Sequence, residues 1–233
     1  MSVYDTTTNI SWNCNGVRTQ FEEIKMILKS YEPVSLCLQE THLKPQINFN
    51  LKNYRIFRKD KETDGHASGG VLTAVRSDVH SELVDLRTPL QAIAVRAKLK
   101  HPITICNIYL PPNEHIDEAA MYSLILDLPQ PYLLVGDFNA SHTSWGSVTN
   151  NARGNLVRRI IDDTGSVVLN TNRITYISPQ YGTTYCIDLS ICSPSIAVRL
   201  DWDTCPDQHG SDHFPIITCS NQPQEPIKNT PDG

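Results

Sequence analysis

Short apolar runs recur along this chain, and each ends at, or is interrupted by, a small polar island. The islands are Trp12-Asn13-Cys14-Asn15-Gly16, Gln39-Glu40-Thr41, residues 107–112, Gly136-Asp137-Phe138-Asn139, Ser144-Trp145-Gly146, Tyr185-Cys186-Ile187-Asp188, Trp202-Asp203 and Ser211-Asp212-His213. Apolar runs this short, bounded by turn residues, suit buried strands better than long helices. A chain so built must stack its strands and bring their polar ends to a common rim. Any one island can be a turn; together they supply carboxylates, carboxamides, a phenol and a histidine, the inventory for holding a divalent metal and a phosphodiester. No covalent nucleophile stands out among them.

A length of 233 residues fits one large domain around one core, and a hydrophobic share of 39% in clear runs describes a folded chain. No stretch approaches the roughly 18 consecutive apolar residues of a membrane span, and residues 1–9 carry neither a basic nor an apolar leader. Secretion and membrane insertion are therefore not expected. The seven cysteines are odd in number, form no C-x-x-C pair and mostly lie in strand-like runs, as reduced thiols of an intracellular protein do. A net charge of −5 argues against a protein that merely coats nucleic acid. The densest basic segment holds Lys52, Arg55, Arg58, Lys59 and Lys61 around Tyr54 and Phe57. It reads either as a DNA-facing patch or, more simply, as a solvated strand and loop.

Strands are expected at 10–13, 34–38, 70–76, 92–99, 103–109 and 132–135, at 198–203 from the alternation of Val198, Leu200 and Trp202, and at 214–218. A helix should follow Thr19, whose spacing to Glu22 fits a capping box. Others should span 119–128, behind Asp117 and Glu118, and 155–164, with Gly165 as its C′ residue. Helices falling singly between groups of strands suggest layered α and β with mixed or antiparallel sheets. Absence of G-x-G-x-x-G and of a P-loop disfavours nucleotide cradles.

Asp137 and Asn139 can aim at one point past a buried strand, although an Asx turn explains the same residues. Glu40 also follows a buried strand, and Mg²⁺ needs only one or two protein carboxylates. Asp188 interrupts the apolar Ile187-Asp188-Leu189, where a lone charge is costly, and His213 is its natural partner. Adjacent Ser211, Asp212 and His213 cannot form a serine-hydrolase triad, because neighbours along a strand point to opposite faces. Tyr109 reads as a core hydrogen bonder or as a phenol near the scissile phosphate. Asn13 and Asn15 read as turn formers or as carboxamides orienting carboxylates and phosphate.

In this order the islands resemble the exonuclease-endonuclease-phosphatase superfamily, with matching motifs from Trp12 to Pro215. The resemblance implies an α/β (α+β) four-layer sandwich: two mostly antiparallel β-sheets face to face, flanked by helices. Ser144-Trp145-Gly146, Ala152-Arg153-Gly154 and Ile187-Asp188-Leu189 are similar to the apurinic-like endonuclease domain of a non-LTR retrotransposon. Asn15 stands where repair relatives usually carry Asp, which speaks against a repair enzyme.

What the resemblance implies is a Mg²⁺-dependent endonuclease, with Mn²⁺ as a possible substitute, that nicks one strand of double-stranded DNA. The 3′-hydroxyl so left primes reverse transcription. Glu40, with Asp212 and Asn15, would hold the metal; Asp137 and Asn139 would orient and deprotonate water; His213, held by Asp188, would stabilise the phosphorane; Tyr109 and Asn13 would position the phosphate. Arg58, Lys59, Arg153, Tyr176 and Tyr181 are candidate DNA contacts, the tyrosines in a protruding hairpin at 173–184. Residues 1–8 would be a tail, 9–219 the endonuclease domain and 220–233 a Pro-rich linker toward a reverse transcriptase, in a nuclear polyprotein whose isolated domain is monomeric. Competing readings are an abasic-site repair endonuclease, a small-phosphoester phosphatase and a catalytically silent DNA-binding module.

Overall fold

The computed structural model describes residues 7–61 and 65–221. Most of the expected tail and linker, at 1–6 and 222–233, lies outside the described residues.

Two six-stranded sheets face each other. The first runs in the order β13 (Leu200–Thr204), β14 (Ile216–Ser220), β1 (Thr8–Asn13), β2 (Ser35–Gln39), β4 (Val71–Arg76) and β3 (Tyr54–Lys59). The second runs β5 (Ser81–Val84), β6 (Gln91–Ala97), β7 (Ile103–Tyr109), β8 (Tyr132–Asp137), β12 (Asp188–Cys192) and β9 (Val167–Val168). Each sheet is antiparallel except at one pair, β1 with β2 and β7 with β8. Those parallel pairs need crossovers, and α1 (Phe21–Tyr31) and α2 (Glu118–Asp127) supply them. A third long helix, α3 (Ala152–Thr164), lies beside α2, and α4 (Pro194–Ala197) is a single turn.

The central strands are buried on both faces, which is why they read as unbroken apolar runs. On β2, Leu36 and Leu38 pack with Ile24 and Ile27 of α1, whereas Cys37 faces the second sheet with Ile105 and Val135. On β7, Cys106 and Ile108 pack under α2 and α3 with Leu124 and Ile160. Helix, sheet, sheet and helix therefore form four layers, as the resemblance implied. Gly136 lies inside β8 at φ +148°, and a Cβ there would stand 1.8 Å from the Ile108 carbonyl oxygen. Its service is the close approach of β8 to β7 just before Asp137.

Some local expectations need correction. Helix α1 is preceded by Gln20 without a side-chain cap, so the Thr19–Glu22 capping box does not form. Gln20 instead reaches across to donate to the Gly210 carbonyl at 2.9 Å. Helix α2 is capped by Asp117, whose carboxylate accepts from the Ala120 N–H, and Gly165 ends α3 in the left-handed conformation. Val198 is 85% exposed at the end of α4, so the alternation that placed it in a strand begins only at Leu200.

Candidate active site

Strand register brings the site together. In the first sheet Asn13 lies opposite Gln39, and in the second Tyr109 and Asp188 both lie opposite Asp137. Both parallel pairs thus end on one rim, the place where open α/β sheets put their ligands. Asn13, Tyr109, Asp137 and Asp188 are all buried there, and Glu40 follows β2 directly. Asn15, Glu40, His42 and Asn139 take positive φ between 47° and 50°, and such unfavourable backbone tends to collect at functional sites.

Hydrogen bonds cross between the sheets at this rim. Asn13 Nδ2 donates to Glu40 Oε1 and to Asp137 Oδ2, each at 2.9 Å. The Tyr109 hydroxyl donates to Glu40 Oε1 at 2.9 Å, and His42 Nε2 lies 3.3 Å from Glu40 Oε2. Burial alone would raise the Glu40 carboxyl, but His42, Asn13 and Tyr109 outweigh it and hold it down at about 2. Tyr109 is pushed upward by burial and by Glu40, so it remains a donor. Asn139 donates its backbone N–H to Asp137 Oδ1 at 2.9 Å and its side chain to Oδ2 at 3.1 Å. The Asx turn weighed against a functional role is therefore present within the site itself.

Across from this cluster, His213 Nδ1 meets both Asp188 oxygens at 3.0 and 2.9 Å. His213 is pinned by an isolated bridge to Tyr176 and by Trp12 Nε1, which donates to its carbonyl. Ser211 Oγ donates to the Asn13 carbonyl, so Ser211, Asp212 and His213 form no triad. Burial would lower the imidazole, but Asp188, then Asp137 and Asp212, raise it to about 9. Asp137 is raised to about 7, first by burial and then by the Asp188 charge. Asn15 joins through its backbone N–H to Asn13 Oδ1 at 3.2 Å, its side chain exposed. Asp212 is half-buried, near enough for its charge to act on His213.

Asp137, Asp188 and His213 offer ligand atoms within 4.8 Å of one another. That set is better described as a proton-holding one, because Asp188 already takes Nδ1 with both oxygens. The fit for a hard cation lies with Glu40: an ionised carboxylate, partly open, joined to Asp137 through the Asn13 carboxamide. Among the described residues no Lys or Arg forms an ion pair with any of these carboxylates. Carboxylate oxygen not engaged by Lys or Arg is the donor chemistry that Mg²⁺ or Mn²⁺ requires.

The candidate DNA contacts fare differently. Arg153 directs its guanidinium onto the carbonyls of Leu110, Phe138, Pro111, Pro112 and Glu114, at 2.5 to 3.3 Å. It clamps the loop after β7 and is not presented to a phosphate. We therefore expect Arg153→Lys, which lacks the planar fork, to destabilise the protein by about 1–3 kcal/mol. Thermal unfolding should show that loss. Lys59 donates to the Thr88 and Leu90 carbonyls, and Arg58 to those of Lys44 and Pro45. Arg55 bonds the Ser81 carbonyl and Lys61 pairs with Glu114, so the basic segment is engaged internally for the most part. The hairpin exists as β10 (Tyr176–Ile177) and β11 (Thr184–Tyr185). Its Tyr176 ring lies 4.7 Å from the His213 ring, and Tyr181 in the connecting turn is 73% exposed.

Sequence reasoning gave no role to His42, to Gln39 or to Asn107. His42 stands two residues past Glu40 in the same island, and that proximity was the available signal. Gln39 Nε2 donates to Asn107 Oδ1 at 2.7 Å between the two sheets, a contact that only the sheet stacking reveals.

A family described as endonuclease-reverse transcriptase matches residues 103–217. The RNA-directed DNA polymerase of mobile element jockey from Drosophila melanogaster is 28% identical over 211 residues, 88% of this chain and 23% of that protein. The chain thus spans about a quarter of the length of such curated relatives. Among solved structures, the endonuclease domain of TRAS1, a telomere-specific non-LTR retrotransposon, superposes with a TM-score of 0.79 at 19% identity, covering 92% of this chain and 98% of that one. AP endonuclease LMAP from Leishmania major gives 0.77 at 16% identity, covering 96% and 90%. The fold is that of the exonuclease-endonuclease-phosphatase superfamily. In sequence and fold the chain resembles the endonuclease part of non-LTR retrotransposon polyproteins. Among the described residues, no helix is long and apolar enough to cross a membrane.

Proposed function

We propose that this chain is a Mg²⁺-dependent endonuclease domain that nicks one strand of duplex DNA, leaving a 3′-hydroxyl that primes reverse transcription of a non-LTR element's RNA. The observation that carries this reading is Asn13 bridging Glu40 and Asp137 beside the Asp188–His213 pair. Glu40, with Asp212 and Asn15, would hold the cation, which when bound neutralises charge on the phosphoryl oxygens. Asp137, oriented by Asn139 and Asn13, accepts the proton of the attacking water. The new bond joins the water oxygen to phosphorus, and the bond to the 3′-oxygen breaks; that oxygen takes a proton from solvent. His213, with Nδ1 held by Asp188, donates from Nε2 to a phosphoryl oxygen as charge develops there. Tyr109 and Asn13 position the phosphate.

Target DNA would bind across the rim, with Tyr181 and the β10–β11 turn as its reader. The relatives' greater length supports a place within a larger polyprotein that carries reverse transcriptase; action on nuclear DNA is proposed from the resemblance alone. Conversion of supercoiled plasmid to open circles in Mg²⁺, abolished by chelator, tests the activity. Plasmid left supercoiled by the metal-loaded protein would refute it.

A pH dependence follows from the two raised groups. Asp137 must be ionised to accept a proton, so the rate should climb as pH passes about 7. His213 must keep its proton to donate, so the rate should fall above about 9. A kcat/KM profile for a fixed duplex should be bell-shaped. A profile level from about pH 6 to about pH 10 would contradict both roles.

A further inference from the structure

The groups of the site stand on two different sheets: Asn13 and Glu40 on one, Tyr109, Asp137 and Asp188 on the other. Their working distance is therefore the distance between the sheets. Apolar side chains pack the sheets together without direction, whereas hydrogen bonds, with their narrow range of distance and angle, fix gap and register sharply.

One polar set is embedded in that layer. Asn107 points from β7 toward the first sheet, and its Nδ2 donates to the carbonyls of Leu38 at 3.1 Å and Leu72 at 2.9 Å. Leu38 and Leu72 are opposite one another on β2 and β4, so a single carboxamide engages both strands. Its Oδ1 accepts from Gln39 Nε2 at 2.7 Å, and Gln39 Nε2 also reaches Ser11 Oγ at 3.1 Å. The apolar clusters between the sheets include Cys37, Ile105, Val135, Val71 and Val95. Gln39 Oε1 is buried without a hydrogen-bond partner, a cost that an apolar residue would avoid.

The latch sits directly beneath the site. Gln39 immediately precedes Glu40, and Asn107 lies two residues before Tyr109 on the same face of β7. The Tyr109–Glu40 and Asn13–Asp137 hydrogen bonds are the next layer toward solvent. We propose that Gln39 and Asn107 are positioning residues whose inter-sheet hydrogen bonds set the separation of Glu40 from Tyr109 and Asp137. This rests on the nuclease reading above. Catalysis that depends on groups from both sheets is sensitive to small errors, since a misplacement of about 1 Å can cost about 100-fold in rate.

The test compares Asn107→Leu with Ile105→Ala, a control buried between the same sheets but outside the latch. Thermal unfolding, single-turnover nicking, KM for a fixed duplex and Mn²⁺ affinity by electron paramagnetic resonance are measured on each. Asn107→Leu should stay folded with KM within about twofold, nick about 30-fold more slowly and bind Mn²⁺ several-fold more weakly. Ile105→Ala should keep its nicking rate within about threefold at an equal or larger loss of Tm. Wild-type rate and Mn²⁺ affinity in Asn107→Leu would overturn the proposal, as would an equal rate loss in the control. If Asn107→Leu does not fold, Gln39→Leu, which leaves the bonds to Leu38 and Leu72 in place, carries the same expectations. Should the wild-type protein fail to nick, the nuclease reading falls, and Mn²⁺ affinity still decides whether the latch shapes the Glu40 site.

Discussion

Asp137→Asn should lower the nicking rate by about 10³-fold, within the range that a lost general base produces, while leaving the fold intact. Asp137 is 1% exposed, and burial together with the Asp188 charge already disfavours its ionised form. An amide relieves that repulsion and keeps an acceptor for the Asn139 N–H. It turns donors toward Asn13 and Asn139, whose carboxamides must then swing aside. These changes oppose each other, so stability should move by no more than about 1 kcal/mol. Single-turnover kinetics and thermal unfolding read the two effects separately. A soluble Asp137→Asn variant within about tenfold of wild type would remove Asp137 from the proton-accepting role.

His213→Ala should damage both activity and stability. Loss of a donor to the developing phosphorane charge should cost about 10²–10³-fold in rate. The same change leaves Asp188, 2% exposed, without its buried partner, and breaking such a pair costs about 3–5 kcal/mol. For a chain of this size that corresponds to a Tm lower by about 10 °C. The stabilising contribution of His213 has a definite pH window. Its pKa is raised in the folded protein, so the contribution is present in full at low pH and is lost as pH rises through about 9. Adding Asp188→Asn to His213→Ala should recover stability without recovering activity. Recovery of both, or of neither, would show that the pair does not work as described.

The site was legible where sequence placed a costly residue in a telling position. Asp188 within an apolar run demanded a partner, and the structure puts His213 at 2.9 Å. Four layers followed from the resemblance, and strand positions from short runs whose double burial was written in their composition. What escaped was set by register and stacking between distant segments. Nothing in the neighbourhood of Asp137 announces that Asp188 lies beside it on the next strand. Arg153 looked like a cation available to DNA because composition does not distinguish a solvated guanidinium from one closed over five carbonyls. Gln39 and Asn107 each looked like one more polar strand end; only stacking of the sheets makes them a pair. The Thr19–Glu22 spacing failed for a local reason, since the helix begins at Phe21, one residue too late for Thr19 to cap it.

Mapping nick ends tests the central claim most directly. Undamaged duplex and the same duplex with one abasic site are incubated with Mg²⁺ or with chelator, and the products are sequenced and offered to a DNA polymerase without end processing. The account predicts Mg²⁺-dependent nicks in undamaged DNA that bear 5′-phosphates and 3′-hydroxyls a polymerase extends at once. Nicks that carry 3′-phosphates, persist in chelator or form only at the abasic site would contradict it.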